Sequence, residues 1–432
     1  MRSKNVYRKN SYPALILYLY CAVGNANDIK GSLSATSMLS DNSLKTAEEP
    51  LEERQDLYRL GIAADYSNWL VDAEASYDWV AQQYAKESQP DDRYAEGNSS
   101  ILFGKQEDPL ALELTHSQRI LLITPDAVAL TQNQQERVMI SALPQIRTRI
   151  FAADRITLGG QFVRVSFPDD DLQDSQRDGL SFGWLHPLSA ASFLQLNAQQ
   201  QKISFDHFPI ADYNLSGAMM VYGVKLRKLS YNLEIGYNQS EPEVGEEQGA
   251  PSYRISASYL SGFNQLDLSA SRLLTDTSFG NGNLDSNIGL PGSDGSALAV
   301  DRMDRTSADV NWQTQVVCTR CQFSAGVSAV EDDYLEKDEK SLSLYARVRF
   351  AYSFSSAATL SLGAARADVD FDNEEIARGY ELNTISLEYA YHFTNGINAR
   401  VAARNEDRTA ANESVDGSYE ENVYSVGLGY NF

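Results

Sequence analysis

Apolar and polar side chains alternate with a period of two over many short segments, and this pattern constrains the fold more than any other feature. The last residues, 424–432, place aromatic and aliphatic side chains on one side of an extended strand and small or polar ones on the other. The segment 342–354 does the same, with Arg347 and Arg349 on its polar side. A strand buried on both faces would not tolerate two arginines. Each strand therefore has one apolar and one wet face.

About twenty such strands fit between Ile29 and Phe432, joined alternately by short turns and long acidic connections. Asn395-Gly396 is the strongest hairpin signal, because both residues tolerate positive φ. Another short turn is predicted at His186–Ser189. Alternating short and long connections are typical of transmembrane barrels, and bacterial barrels have even strand numbers. The sequence predicts an all-β, closed antiparallel transmembrane β-barrel of 20 strands, or 18 if two weak hairpins near residues 98–120 are misassigned.

Composition and the N-terminus bound the alternatives. No apolar run approaches the 18 residues of a membrane helix, which excludes a helical membrane protein. The net charge of −23 suggests disorder, but aromatic residues make up 10% of the chain and argue against it. Four cations precede the apolar stretch 13–23, and Gly24-Asn25-Ala26 suits a signal peptidase. We predict a signal peptide over residues 1–26 and a single barrel domain over 27–432.

The tryptophans predict the height of the membrane band. Trp69 and Trp79 are ten residues apart, which is roughly 33 Å along a strand and about 25 Å along the membrane normal after tilting. Interfacial girdles need side chains with an apolar body and a polar N–H. We assign Trp69, Trp79, Trp184 and Trp312 to aromatic girdles. A soluble sandwich with two core tryptophans is the alternative for this strand.

The parity of the strands predicts which charged side chains line the lumen. The candidates are Arg147, Arg149, Lys225, Arg254, Arg347, Arg349, Glu388, Arg400 and Arg404, with Asp72, Glu74, Asp78, Glu234, Asp267 and Asp309 on the same side. Two interpretations remain open. The charges form ladders that brace the wall, because confined charges are usually paired, or the arginines form a track for an anionic polymer.

Most of the acidic residues fall in the predicted outer loops, in clusters such as Asp169–Asp171, Glu246-Glu247 and Glu331–Asp333. A solvated rim is one explanation. The other is that carboxylates hold Ca²⁺ or Mg²⁺ bridging to phosphates of lipopolysaccharide, since hard cations prefer oxygen ligands. No other cofactor is expected.

Catalytic motifs are not evident. Four histidines are scattered through the chain, and His116 and Ser117 are adjacent, so they point to opposite faces. We expect no enzyme activity and no metal site built on histidines. Cys318 and Cys321 flank a predicted turn outside any βαβ context, which favours a structural disulfide over a redox pair.

Short motifs carry two family resemblances. Gly427, Tyr430 and Phe432 at the terminus resemble the insertion signal of Gram-negative outer-membrane β-barrels, which implies the outer membrane, its lipids and lipopolysaccharide, and the barrel-assembly machinery as partners. Ser40-Asp41-Asn42, the segment 185–189 and the segment 274–280 resemble outer-membrane barrels associated with exosortase (PEP-CTERM) systems and exopolysaccharide operons.

The second resemblance implies a passive conduit or assembly factor in exopolysaccharide export, together with polysaccharide export proteins and without nucleic acid. The acidic outer loops would repel an acidic polymer. A general or solute-selective porin, and a plugged barrel that serves as a surface-binding scaffold, are the alternatives.

Overall fold

The computed structural model describes residues 28–432, apart from positions 106–107, 124–126, 152, 170, 280–300, 317, 337–338, 373–377 and 412–416. The signal peptide predicted over residues 1–26 lies outside the described residues. Twenty strands follow one another: β1 (Asp28–Ser40), β2 (Glu53–Ser67), β3 (Val71–Tyr84), β4 (Asp92–Phe103), β5 (Leu110–Leu122), β6 (Gln134–Ile150), β7 (Asp154–Ser166), β8 (Ser175–Ser189), β9 (Ser192–Phe205), β10 (Tyr213–Lys225), β11 (Leu229–Pro242), β12 (Gln248–Ser261), β13 (Asn264–Asp276), β14 (Arg302–Thr314), β15 (Cys321–Tyr334), β16 (Glu339–Ser353), β17 (Ala358–Asp372), β18 (Arg378–His392), β19 (Ile397–Ala410) and β20 (Tyr419–Asn431).

The strands form one closed antiparallel sheet. Each strand pairs with its neighbours in the chain, and β1 also pairs with β20, from Ser32 opposite Asn431 to Ser40 opposite Val423. This confirms the predicted barrel of twenty strands. The alternative of 18 is wrong because β4 and β5 both form, although their ladder covers only Gly97–Phe103. No helix within the described ranges is long and apolar enough to cross a membrane.

Alternation along each strand gives the wall an apolar exterior. On β16, Leu344 and Val348 are each 44% exposed, whereas Tyr345, between them in the chain, is buried. A closed barrel has only an inner and an outer face, so the exposed aliphatic parity is the lipid face and the other parity lines the lumen. The strands of 12 to 17 residues exceed the 9–11 needed to cross a bilayer. They therefore project beyond it.

The short turns lie at the barrel end that carries Asp28 and Phe432, and the long connections lie at the opposite, extracellular end. Two turn and loop predictions are wrong. His186–Ser189 belongs to β8, which continues through an irregularity at Pro187–Ser189 before turning at Ala190-Ala191. Glu331–Asp333 belongs to β15 and not to a loop, because Asp332 has a cation, Arg305, opposite it on β14.

The wall loses its pairing in two places near the extracellular end. The β12–β13 ladder ends at Tyr253 and Arg272, while β11 and β12 stay paired to Gln248. Pro251 lies in this upper part of β12, and proline is tolerated in a strand that lacks one neighbour because it cannot donate to a ladder. The β4–β5 ladder ends at Gly97, whose φ of +156° is a conformation that side-chain-bearing residues rarely adopt.

A charge on the lipid face should cost far more than the same charge in the lumen. We expect Val348→Arg to lower the free energy of unfolding in lipid vesicles by about 2–4 kcal/mol, because Val348 lies near the bilayer midplane. Thr384→Arg, at a similar depth on the lumen parity of β18, is the control and should cost less than about 1 kcal/mol. Denaturant titration measures both. Equal costs would contradict the assignment of the two faces.

Candidate functional site: the lumen

The lumen is packed at its extracellular end and wet toward the periplasm. On β19 the inward side chains change from Arg408, 3% exposed, and Glu406, 7% exposed, to Arg404 and Arg400, whose side chains are 45% and 62% exposed. On β16 they change from buried Ser341 to exposed Arg349 in the same direction. The outer half of the barrel is therefore a filled mouth, and the inner half is lined by solvated polar groups.

One filling element is the upper part of the β13–β14 hairpin. Leu274 and Asp276 have the same parity on β13 as lipid-facing Leu268, yet Leu274 packs with Ile203 and Tyr213, which point into the lumen from β9 and β10. Leu274 would point toward the lipid if this part of β13 lay in the wall, but it contacts side chains that point into the lumen. This part of the hairpin therefore lies inside the wall formed by β8–β12. The break in the β12–β13 ladder permits this displacement.

A buried polar cluster fixes the hairpin there. The Arg177 guanidinium on β8 donates to Asp276 at 2.8 Å, and the Tyr213 hydroxyl donates to the same carboxylate. Ser278 donates to Asp276 at 2.6 Å through its hydroxyl and at 3.0 Å through its backbone N–H. Arg302 on β14 donates to Ser240 on β11 at 3.2 Å. Both oxygens of the Asp276 carboxylate accept hydrogen bonds, which offsets the cost of burying the charge.

The β1–β2 loop is the second filling element. Glu406 and Glu421 stand opposite each other on β19 and β20, both on the lumen side. The Lys45 ammonium lies 3.0 Å from Glu406, 3.5 Å from Glu421 and 3.3 Å from the Tyr419 hydroxyl. Ser40 donates to the second oxygen of Glu421 at 2.6 Å. We call Lys45, Glu406, Glu421 and Tyr419 the latch.

The β5–β6 loop crosses the mouth as well. Ala127, Val128 and Ala129 line a cavity of about 30 Å³ together with Tyr380 of β18 and Arg408 of β19. These two strands are seven and six strands away from β5 around the wall. The guanidinium of Arg408 stacks on the Tyr380 ring at 4.1 Å. The loop is tied to its neighbours because Gln89 of the β3–β4 loop accepts from the Thr131 N–H at 2.9 Å.

The structure places the predicted lumen residues on the inner parity of their strands, mostly in the wet half. Arg254 lies 3.7 Å from Glu234, and Arg400 lies 3.4 Å from Glu388. Arg404 lies 3.3 Å from Glu406. Hydrogen bonds to neutral groups are also found: Arg347 donates to Asn311, Arg349 to Ser361 and Arg147 to Gln145. Lys225 is exposed at the periplasmic end of β10. The cross-strand pairs favour bracing of the wall for part of the set.

The charges are unevenly distributed around the wet lumen. Acidic side chains predominate on β3–β5, among them Asp72, Glu74 and Asp78, and arginines predominate on β16–β19. Between them, β9 presents neutral amides, and among these Gln195 donates to Asn197 at 2.7 Å. A solute in this space meets an acidic, a basic and an uncharged hydrogen-bonding wall.

Comparison with solved structures shows the fold. The outer membrane protein OpdK of Pseudomonas aeruginosa is 12% identical, with a TM-score of 0.39 and 95% of this chain and 100% of that chain covered. The FrpB iron transporter of Neisseria meningitidis is 9% identical, with a TM-score of 0.50 and 96% and 83% covered. The chain has the fold of an outer-membrane β-barrel. No family model and no curated protein matches it.

Within the barrel, the predicted girdle tryptophans lie at the two rims. Trp184 and Trp312 are near the periplasmic ends of β8 and β14, and the Trp184 indole donates to Asp154 at 3.1 Å. Trp79 lies on the lipid side of β3 toward the outer rim. Trp69 is in the β2–β3 turn and not in the strand, 81% exposed, because Asn68 accepts from the Leu70 and Val71 N–H groups and so starts β3 after it.

The terminal residues close the wall. Tyr430 and Phe432 stack on the lipid side, and the Phe432 N–H and carbonyl bond to Gly31 at 2.9 and 2.8 Å. A Cβ at Gly31 would lie 2.3 Å from the Phe432 ring, so a larger residue there would displace that ring. Gly427 faces the lumen from β20.

Other predicted sites fall outside the lumen. Cys318 and Cys321 form a disulfide in the periplasmic β14–β15 turn. His116 points to the lipid side and bonds to Tyr77, at 2.6 Å. Among the described residues, no group of three or more His, Cys, Asp or Glu side chains could hold a metal ion.

Sequence reasoning missed the packed mouth. Lys45, Arg177 and Asp276 have no distinctive sequence pattern, and Lys45 lies in an acidic segment that reads as a solvated loop. The only usable signal was Leu274, an apolar side chain at the start of the longest connection. Its partners are 59 and 71 residues away in sequence, at Leu215 and Ile203.

The Arg177 cluster should dominate the stability of the mouth. We expect Arg177→Met to lower the free energy of unfolding by about 3–5 kcal/mol, because Asp276 would stay buried without its cation. Arg164→Met removes an exposed pair with Asp206, 2.7 Å apart, and should cost at most about 1 kcal/mol. Denaturant unfolding followed by tryptophan fluorescence measures both. Similar losses would mean that Asp276 is not isolated from water.

Proposed function

We propose that the barrel is a gated channel for polar solutes, closed at its extracellular mouth in the conformation described. The observation that supports this is the change from buried to solvated side chains along the lumen face of single strands such as β19. A general porin needs a continuous wet path, whereas here loop residues and the β13–β14 hairpin occupy the outer half.

The latch is the element best suited to open. Lys45 has a φ of 52°, a left-handed conformation that costs a lysine about 1 kcal/mol. Its contacts with two carboxylates and a hydroxyl hold it there. Burial alone would lower the pKa of Lys45, but Tyr419, Glu406 and Glu421 together raise that pKa well above its ordinary value. Lys45 therefore stays cationic at neutral pH, and the latch is held by charge.

Release of Lys45 would also leave negative charge in the wall without a compensating cation. Glu406 and Glu421 would then face each other on adjacent strands without a cation between them, and like charges directly opposite are destabilising. A solute that supplies a cation to Glu406 and Glu421 would thus release the β1–β2 loop, and a force that displaces this loop would have the same effect. The Arg177 cluster is more deeply buried and more completely hydrogen-bonded, so the β13–β14 hairpin is the stationary part.

Exopolysaccharide as the solute is a narrower form of this proposal. The resemblance to barrels of exopolysaccharide operons suggests it, and the neutral amide side chains of β9 suit hydroxyl-rich carbohydrate. A barrel that stays plugged and serves as a surface scaffold is the competing function. A scaffold of this kind would have the same packed mouth but no conducting state.

Removal of the latch cation should open the channel. We expect wild-type barrels in planar bilayers to be almost silent and Lys45→Met barrels to show a severalfold larger steady current. Lys340→Met is the matched control, since Lys340 pairs with Asp333 at 2.9 Å on an exposed site, and it should stay silent. Heat-modifiable gel mobility verifies folding. A large ohmic current in wild type, or silence in folded Lys45→Met, would contradict the gate.

The nature of the solute can then be tested in the Lys45→Met background. If carbohydrate passes along the amide wall, neutral oligosaccharide should block the current transiently, and Gln199→Leu should shorten the blockades by removing a hydrogen-bonding group. Arg349→Gln should shift the reversal potential toward cation selectivity and leave the blockades unchanged. Oligosaccharide that never blocks the open channel would leave the polar channel standing and exclude the polysaccharide form.

A further inference from the structure

A groove of about 810 Å³ runs over the outside of the wall. Its lining is mostly apolar and includes Leu33, Tyr58, Leu60, Trp79, Leu428 and Tyr430, all on the lipid parity of their strands. The groove crosses the β1–β20 closure and has a volume in the range of small-molecule sites, roughly 300–1,000 Å³. An ordinary lipid-facing wall is convex and offers no such space.

The register explains the shape of the groove. Tyr430, Leu33, Leu60 and Trp79 form one continuous row across four strands. The next row contains Ala35 and Ala81, whose small side chains leave depth between the larger ones. From Ile397 on β19 to β4 the rows cross five strand spacings of about 4.8 Å, or roughly 24 Å. Because barrel strands tilt by about 40°, such a row climbs diagonally through the apolar band.

A cation stands at the upper end. Arg93 is paired with Ala81, one residue inside the extracellular start of β4, and its exposed side chain lines the groove. It lies above Trp79, which places the guanidinium at the level of the outer headgroups. Guanidinium groups bind phosphate bidentately. The groove thus combines an apolar surface with a guanidinium at its outer end that can bind phosphate.

We propose that this groove is a specific binding site for a phosphorylated lipid of the outer leaflet, namely the lipid A part of lipopolysaccharide. One acyl chain lies along the two rows, and a phosphate contacts Arg93. The extracellular position of Arg93 selects the outer leaflet, and its charge selects a phosphorylated headgroup. The site does not involve the lumen and stands independently of the gated channel.

The test uses the full barrel, delipidated in detergent and titrated with diphosphoryl lipid A in native mass spectrometry. Wild type should retain one lipid A molecule at concentrations where phosphatidylethanolamine is lost. Ala35→Phe combined with Ala81→Phe fills the groove and should weaken retention by about tenfold or more. Arg93→Gln should weaken it by about tenfold, since a charge-assisted bond is lost.

Two matched controls separate the groove from the rest of the lipid face. Ala329→Phe adds the same ring on the lipid side of β15, and Arg366→Gln removes an exposed outward arginine from β17. Both should bind lipid A as wild type does. Equal retention by the groove-filling variant would overturn the proposal, as would equal retention of phosphatidylethanolamine by wild type. Dimers that the groove-filling variant dissociates would assign the surface to a second copy instead.

Discussion

Closure of the backbone hydrogen-bond ladder is the constraint on which the rest of the structure depends. In a bilayer no water satisfies a free N–H or carbonyl, so a sheet can span only if its first and last strands pair. Here β1 and β20 do so over nine residue pairs, and Gly31 and Phe432 complete the ladder at the periplasmic rim. The alternating side chains then separate lipid from water around the whole circumference.

This constraint is weaker beyond the bilayer on the extracellular side, and the filled mouth lies there. The breaks between β4 and β5 and between β12 and β13 lie in the extracellular parts of the strands, where water and side chains can satisfy the backbone. The β12–β13 break lets the β13–β14 hairpin move inside the barrel. Strand ends that project past the lipid are thus available to build a mouth.

The mouth contains two charged clusters that differ in how deeply they are buried. The Arg177–Asp276 pair is buried, with Asp276 0% exposed, so separating it would leave an unsolvated charge. The Lys45 side chain retains 15% exposure and sits on a strained backbone. Water can replace its contacts at lower cost. This difference in solvation separates a fixed support from a movable latch within one packed region.

The sequence by itself determined the closed barrel, its twenty strands, the sidedness of turns and loops, and the parity of residues such as Arg349 and Val348. These follow from a local period of two and from turn residues, which each strand carries independently of the others. It could not determine where the lumen is filled, that Asp332 belongs to β15, or that Lys45 meets Glu406. Lys45 and Glu406 are 361 residues apart and Arg177 and Asp276 are 99 apart, and the closed circumference, which brings β1 beside β20 and the β13–β14 hairpin inside β8–β12, places them within hydrogen-bonding distance. Arg305 and Asp332 meet because β14 and β15 pair in that register.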